Sequence, residues 1–204
     1  MQDIKSRGLE KTADDVHSLM NQTLKMAVAY NLILRNPLAV ISFKRHERKN
    51  GVRLTLDEEN RLICDCKDKY RSIFAIYLYA GLRPGEIYSM QIGEQFITCQ
   101  NLKQKDHKIR HKKIPIIDKL RPFLKDIPSK IPGLEYIRKE FNSILPDHVL
   151  KDCRRTFSSH CKECKIDDDV RELILGHAPQ NQLDKAYVEF TDEYILQEAA
   201  KLIW

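Results

Sequence analysis

Tyr187 stands ten residues after His177 in the run Leu-Gly-His-Ala-Pro-Gln-Asn-Gln-Leu-Asp-Lys-Ala-Tyr, and two arginines come earlier, Arg83 in Gly-Leu-Arg-Pro-Gly-Glu and Arg154 in Lys-Asp-Cys-Arg-Arg-Thr-Phe. Guanidinium forks match phosphate oxygens in a planar, bidentate way, and a phenol supplies an oxygen nucleophile that can hold a phosphate covalently. Arginines, a histidine and then a tyrosine in this order suggest a metal-free site for attack on a phosphodiester. Taken singly, the same residues read more plainly. A histidine near a helix end is more often a cap, and Tyr187 between Ala186 and Val188 fits a half-buried packing residue. Tyr194 is the competing nucleophile, but the helical pattern of Tyr194-Ile-Leu-Gln-Glu-Ala-Ala-Lys-Leu-Ile-Trp makes it a packing residue.

The elements that must position these groups can be read from periodicity and stop signals. Val16, Leu19, Met20, Thr23, Met26, Ala27, Tyr30, Ile33 and Leu34 recur at helical spacing and predict an amphipathic helix that Asn36-Pro37 ends. Thr55-Leu-Asp-Glu58 has the form of a capping box. Helices follow through Leu62 and Ile63 and through Ile73 to Tyr79. Gly81 closes the second, and Pro84 fits the first turn of a further helix, so Arg83 is expected at a helix junction whose N-terminus adds positive potential. Phe96 to Cys99 and Lys112 to Ile116 are the best strand candidates, joined by a polar turn into a hairpin. From Leu134 onward the pattern is helical, with Phe157 a core residue and Gly176 allowing a tight helix end that sends His177 toward the pocket. The fold class expected is mainly α with a small antiparallel β-sheet (α+β).

Charge distribution points to a polyanionic partner. The 204 residues carry a formal net charge of +6, with 42% apolar content, enough to bury a sizeable core. Nine basic residues against Asp106 and Asp118 fall between Asn101 and Lys125, among them Lys103, Lys105, Lys108 and Arg110. A second cluster holds Lys44, Arg45, Arg48 and Lys49. Such clusters are the footprint of a backbone-binding surface, and the plain alternative is a solvated face. Six cysteines, with no signal-peptide pattern and no apolar run long enough to span a bilayer, read as reduced thiols in a cytoplasmic chain with no membrane partner. Cys64-Asp-Cys66 and His160-Cys-Lys-Glu-Cys164 invite a zinc reading, yet neither provides the two knuckles of a structural site, and His160 and Cys161 read as a continued helix. No metal or cofactor is expected.

The motifs Gly81-Leu-Arg-Pro-Gly-Glu86, Lys151-Asp-Cys-Arg-Arg-Thr-Phe157, Leu175-Gly-His177 and Tyr187 resemble, in content and order, the catalytic domain of the tyrosine recombinases, the phage-integrase family. The resemblance covers residues 54–204. It implies Tyr187 as nucleophile, Arg83, Arg154 and His177 as phosphate-binding groups, and a hairpin lysine that protonates the leaving 5′ oxygen. Lys103 is the first choice for that lysine and Lys105 the second. The family usually has histidine where this chain has Lys151; a lysine is protonated near neutral pH unless strongly desolvated, which weakens any role as base. His148 lies three residues earlier, outside the usual register. DNA contacts are expected from Lys44, Arg45, Lys49, Lys105, Lys108, Arg110 and Arg155. Residues 1–41 are expected to be the last helical part of a DNA-clamping core-binding domain, residues 42–53 a basic linker, and the chain a piece lacking most of that clamp.

The resemblance further implies site-specific strand exchange at double-stranded DNA attachment sites, through a 3′-phosphotyrosyl intermediate, without metal or ATP. With it come a homotetramer on DNA, accessory DNA-bending factors and a nucleoid-associated location in a bacterial host. The rival readings are a type IB topoisomerase-like enzyme, which reseals the same strand, a non-catalytic DNA-binding paralogue, and an ordinary helical interaction protein with no salt-dependent DNA affinity.

Overall fold

The computed structural model describes residues 2–46, 51–102, 109–177 and 190–204. The chain divides into two compact units, residues 1–50 and 51–204.

The first unit is built on helices α1 (Gln2–Ser6) and α2 (Glu10–Ala29), with a 3-10 turn over Pro37–Val40 beyond them. The expected amphipathic helix is present but shifted. It starts at Glu10 and gives way at Tyr30 and Asn31, the latter at φ 54, so Ile33 and Leu34 lie beyond it. Asn36 does not stop that helix; its side chain accepts from Leu38 N at 2.9 Å and caps the short turn instead. Ala13 is the buried residue of α2, while Leu19, Met20 and Met26 are exposed. Phe43 stacks on His17 at 4.0 Å and holds the segment after the turn against α2.

The second unit contains the core. Helix α3 (Leu56–Cys64) begins at the expected capping box: Thr55 Oγ1 accepts from Glu58 N, and Glu58 Oε2 accepts from Thr55 N at 2.7 Å. Helix α4 (Asp68–Tyr79) is buried all round, from Ile73 to Tyr79, and forms the centre of the unit. A continuous apolar helix of this kind must be surrounded. On it pack α6 (Lys151–Glu163), α3 and the 3-10 turn Arg121–Asp126. Helix α5 (Leu134–Ile144) adds Phe141, whose ring meets Phe74 edge-on at 6.0 Å. Helices α7 (Asp168–Leu175) and α8 (Asp192–Ala199) are the remaining helices among the described residues.

The sheet is small and antiparallel, in the order β1 (Gln91–Ile92), β2 (Phe96–Gln100) and β3 (His111–Pro115). Strands β2 and β3 match the sequence expectation; β1, at two residues, carries no readable alternation. Pairing of Cys99 with Lys112 and of Ile97 with Ile114 sets the register. Along β3 the side chains alternate, with His111 and Lys113 outward and Lys112 and Ile114 inward. The period-2 geometry of a strand thus sends one member of a lysine pair into the protein.

Two buried ties hold helices α3 and α6 together. Thr156 Oγ1 donates to Asp152 O and accepts from Leu54 N, each at 2.9 Å. Glu59 is buried on α3 and accepts from His160 Nε2 at 3.0 Å and from Trp204 Nε1 at 2.5 Å, while the indole lies against His160 and meets Tyr79 edge-on. His160 and Cys161 do continue a helix, α6, as read from the sequence. Trp204→Phe keeps most of the ring packing but leaves the Glu59 carboxylate one donor short. It should destabilise the second unit by about 1–3 kcal/mol, the cost of an unsatisfied buried polar group. Chemical denaturation measures this, and an unchanged midpoint would mean that water replaces the indole N–H.

Candidate active site

Arg83 lies between the end of α4 and a 3-10 turn over Glu86–Ser89. Helix α4 ends at Ala80, and Gly81 adopts φ +61, a left-handed conformation that closes the helix without Cβ strain. The junction differs from the expected one, because the chain after Pro84 forms a tight turn, with no α-helix N-terminus aimed at a ligand. Glu86 closes that turn: its Oε2 accepts from Arg83 N at 2.8 Å, and its Oε1 accepts from Arg83 Nη1 at 2.7 Å. Nη1 also donates to Asn101 Oδ1 at 2.8 Å. Both hydrogens of Nη1 are thereby used. The edge formed by Nε and Nη2, which can grip two oxygens at once, has no partner among the described residues.

Arg154 is placed by the second turn of α6 and is buried. Its Nη1 donates to Gly81 O at 2.8 Å, and its Nη2 donates to Leu175 O at 2.5 Å and lies 3.1 Å from His177 Nε2. Those carbonyls are free because the helices they end have no further turn to accept from. Burial first, and then the charge of Arg83, pulls the Arg154 guanidinium down to about 10, still cationic at neutral pH. The two arginines thus share one electrostatic environment although they are far apart in sequence.

His177 follows Gly176, the left-handed C-cap of α7 at φ +65. A Cβ at Gly176 would come within 2.8 Å of Asn101 Nδ2 and Lys112 Cδ, so the turn that aims His177 needs glycine for space as well as for φ. His177 Nδ1 is 2.5 Å from Glu172 Oε2. Arginine has only donors, so His177 Nε2 accepts from Arg154 and the proton sits on Nδ1, donated to Glu172. Burial pushes the Glu172 carboxyl up, but hydrogen bonds from Arg171 and His177 outweigh it and leave the group below its ordinary value.

Beneath these groups lies a polar layer that the motifs do not reveal. Asn101, at the end of β2, spans Arg83 and the α7 cap, because its Nδ2 donates to Gly176 O at 2.7 Å. Lys112 Nζ is 2.8 Å from Glu86 Oε2, and both side chains are buried. Burial alone would raise Glu86, but Lys112 and the hydrogen bonds from Arg83 hold it below the usual carboxylate range. Cations therefore outnumber the one buried acid here, and the pocket is poised for an anion of more than one charge.

Lys151 is the first residue of α6 and is exposed, one turn before Arg154, with no hydrogen bond or ion pair among the described residues. His148 is turned away from this role; its Nε2 is 3.2 Å from Glu58 Oε1 and its Nδ1 3.4 Å from Asp152 Oδ2, between α3 and α6. Arg155 Nη1 pairs with Asp152 Oδ1 at 2.5 Å on the half-exposed side of α6. Tyr194 stacks on Phe190 at 5.5 Å and packs against the core, as its sequence pattern suggested. Arg110 flanks the hairpin, its carbonyl accepting from Asn101 N at 2.8 Å. In the first unit Lys44 and Arg45 are exposed. Lys49, Lys103, Lys105, Lys108 and Tyr187 lie outside the described residues. The fold thus brings together Arg83, Arg154 and His177 of the expected set, and adds Glu86, Asn101, Lys112 and Glu172.

No sequence-family profile and no curated protein matches this chain. Its fold, however, is that of the tyrosine-recombinase integrases. A lambda integrase dimer bound to a COC′ core site superposes with a TM-score of 0.69 at 16% identity, over 94% of this chain and 79% of that one. The Tn1549 transposon integrase in complex with circular intermediate DNA gives 0.64 at 18% identity, over 97% and 81%. A lambda integrase tetramer bound to a Holliday junction gives 0.67 at 16% identity, over 89% and 62%.

The hydrogen-bond pattern around His177 makes its tautomer testable. In nitrogen-15 spectra recorded at about pH 8.5, where an imidazole is neutral, His177 should carry its proton on Nδ1. In Glu172→Ala the ring should shift toward the Nε2–H form, which is ordinarily preferred once its acceptor is gone. An Nε2–H tautomer in the unaltered protein would contradict the arrangement described.

Proposed function

We propose that the protein is a site-specific DNA recombinase that cleaves and rejoins DNA through a 3′-phosphotyrosyl intermediate. The observation that carries this reading is the Nε and Nη2 edge of Arg83, without a partner among the described residues, beside the buried Arg154 and the exposed His177, a cationic pocket shaped for phosphate oxygens. Tyr187 is the proposed nucleophile. Its phenol proton passes to water as its oxygen bonds to phosphorus, the bond to the 5′ oxygen breaks, and that oxygen takes a proton from the hairpin lysine, Lys103 or Lys105. Arg83 and Arg154 bind the non-bridging oxygens, where negative charge accumulates in the transition state. His177, held by Glu172, is the proposed donor of a further hydrogen bond to a non-bridging phosphate oxygen. Lys151 adds charge at the rim. The energy of the phosphodiester is kept in the new ester, so a 5′-hydroxyl from a partner strand can reverse the attack.

On this reading residues 54–204 are the catalytic domain, residues 1–41 the end of a clamping domain, and residues 42–53 the linker that tracks along DNA. Lys44, Arg45, Lys49, Lys105, Lys108, Arg110 and Arg155 then serve the phosphate backbone. The DNA-bound state of the similar integrases supports a duplex partner, and the tetramer on a Holliday junction supports exchange within a four-subunit assembly. A supercoil-relaxation assay set beside a two-site recombination assay separates this activity from resealing of a single strand.

A nicked DNA substrate that loses its 5′-hydroxyl fragment on cleavage should trap a covalent complex. Tyr187→Phe should form none while binding DNA with nearly unchanged affinity, and Tyr194→Phe should form it normally. An adduct that persists in Tyr187→Phe and disappears in Tyr194→Phe would assign the nucleophile to the other tyrosine.

The exposed site of Lys151 yields a separate expectation. Lys151→His should cleave at least as fast as the unaltered protein, because imidazole can donate to the same oxygen and also accept the tyrosine proton. Lys151→Ala should be slower but active. A histidine variant as inactive as Tyr187→Phe would show that a long cation is required at this position.

A further inference from the structure

Lys112 is a lysine in an unusual place. Its side chain is 4% exposed, and its partner Glu86 is fully enclosed. Lysine is almost never fully buried unless paired, and removing one member of a buried ion pair leaves an uncompensated charge. The pair also sits among the groups that would hold phosphate. Glu86 Oε2, 2.8 Å from the Lys112 ammonium, accepts from Arg83 N, while the other oxygen accepts from Arg83 Nη1. The ammonium meets the carboxylate as an ion pair off hydrogen-bond alignment, so it competes for Glu86 mainly by charge. Its stem packs under Gly176, where an added Cβ would meet Lys112 Cδ at 2.8 Å. One side chain of β3 therefore touches both the loop that carries Arg83 and the turn that carries His177.

We infer that Lys112 is a positioning residue for the strand-transfer chemistry: its buried ammonium draws on Glu86 so that Arg83 is held by Nη1 alone, with its Nε and Nη2 edge left for phosphate. Without the ammonium, Arg83 is the one cation in direct contact with Glu86 among the described residues, and a carboxylate with one guanidinium partner closes the bidentate fork on itself. That fork cannot then hold a phosphate. The Lys112 Nζ is directed at an internal carboxylate, from which it would have to part to reach a leaving oxygen. This inference rests on the recombinase reading, but the placement of Arg83 that it explains can be measured without activity.

The test compares Lys112→Met, Glu86→Gln and the double variant. Methionine keeps the length of the stem under Gly176 and removes the charge. Lys112→Met should slow covalent cleavage of the nicked substrate about a hundredfold, the loss expected from a small misplacement of a catalytic group. The double variant should recover most of this loss, since a neutral amide no longer captures Arg83. A substrate whose leaving 5′ oxygen is replaced by sulfur separates positioning from proton donation: a thiolate leaves without an acid, so it should rescue a lysine that acts as general acid and should not rescue Lys112→Met. In parallel, the Arg83 Nε–H and His177 ring resonances should shift in Lys112→Met and return toward their original positions in the double variant. Rescue by the sulfur substrate, or a double variant as slow as the product of the single effects, would overturn the inference. If the unaltered protein forms no adduct at all, the recombinase reading fails while the resonances still decide whether Lys112 positions Arg83, and unmoved resonances would reject it.

Discussion

Burial of the Arg154 guanidinium is the constraint on which the rest of the site depends. An isolated charge cannot be taken out of water without partners, and Arg154 finds them at two helix ends, Gly81 O after α4 and Leu175 O at the end of α7. Each carbonyl is available because its helix stops there, and at or just after each stop a glycine at positive φ turns the chain. The turn after Gly81 carries Arg83, and the turn at Gly176 carries His177. One cation thus registers the two segments that bear Arg83 and His177, and α6, tied to α3 through Thr156 and Glu59, supplies the rigid base.

A pocket built this way is unfavourable when empty. Arg83, Arg154 and Lys112 lie around the buried acid Glu86, and the depressed pKa of Arg154 reflects burial together with the neighbouring guanidinium. Such an arrangement stores electrostatic potential that an incoming phosphate, and still more a phosphorane, would relieve. The stability lost to this crowding is offset by an apolar core centred on α4, from Ile73 to Tyr79.

Local signals were legible in the sequence wherever a few neighbouring residues decide the outcome. The Thr55 and Glu58 capping box, the Gly81 and Gly176 helix stops and the strands around Ile97 and Ile114 are all of this kind. That Arg83, Arg154 and His177 come together was legible through motif order. Glu86, Asn101, Lys112 and Glu172 were not, because their meaning lies in pairings across the fold. Lys112 sits in a run of basic residues that looks solvated throughout; only the inward phase of β3, together with an enclosed acid opposite, separates it from the exposed Lys113. Helix α2 shows the converse: periodicity found the helix but not its buried side, since Leu19, Met20 and Met26 of the apolar stripe are exposed while Ala13 is buried, and it placed the end late, because Asn31 at φ 54 breaks the backbone before the apolar pattern runs out.

The central claim is that two guanidiniums, one held by helix-end carbonyls and one by Glu86 and Asn101, form a phosphate cradle for a tyrosine nucleophile. A crystal structure of the covalent complex on nicked DNA tests it most directly. It should place the tyrosyl phosphate within hydrogen-bond distance of Arg83 Nε and Nη2 and of Arg154, with Arg154 still donating to Gly81 O and Leu175 O. A phosphate bound elsewhere, or Arg83 closed in a bidentate grip on Glu86 while the phosphate is in place, would contradict the account.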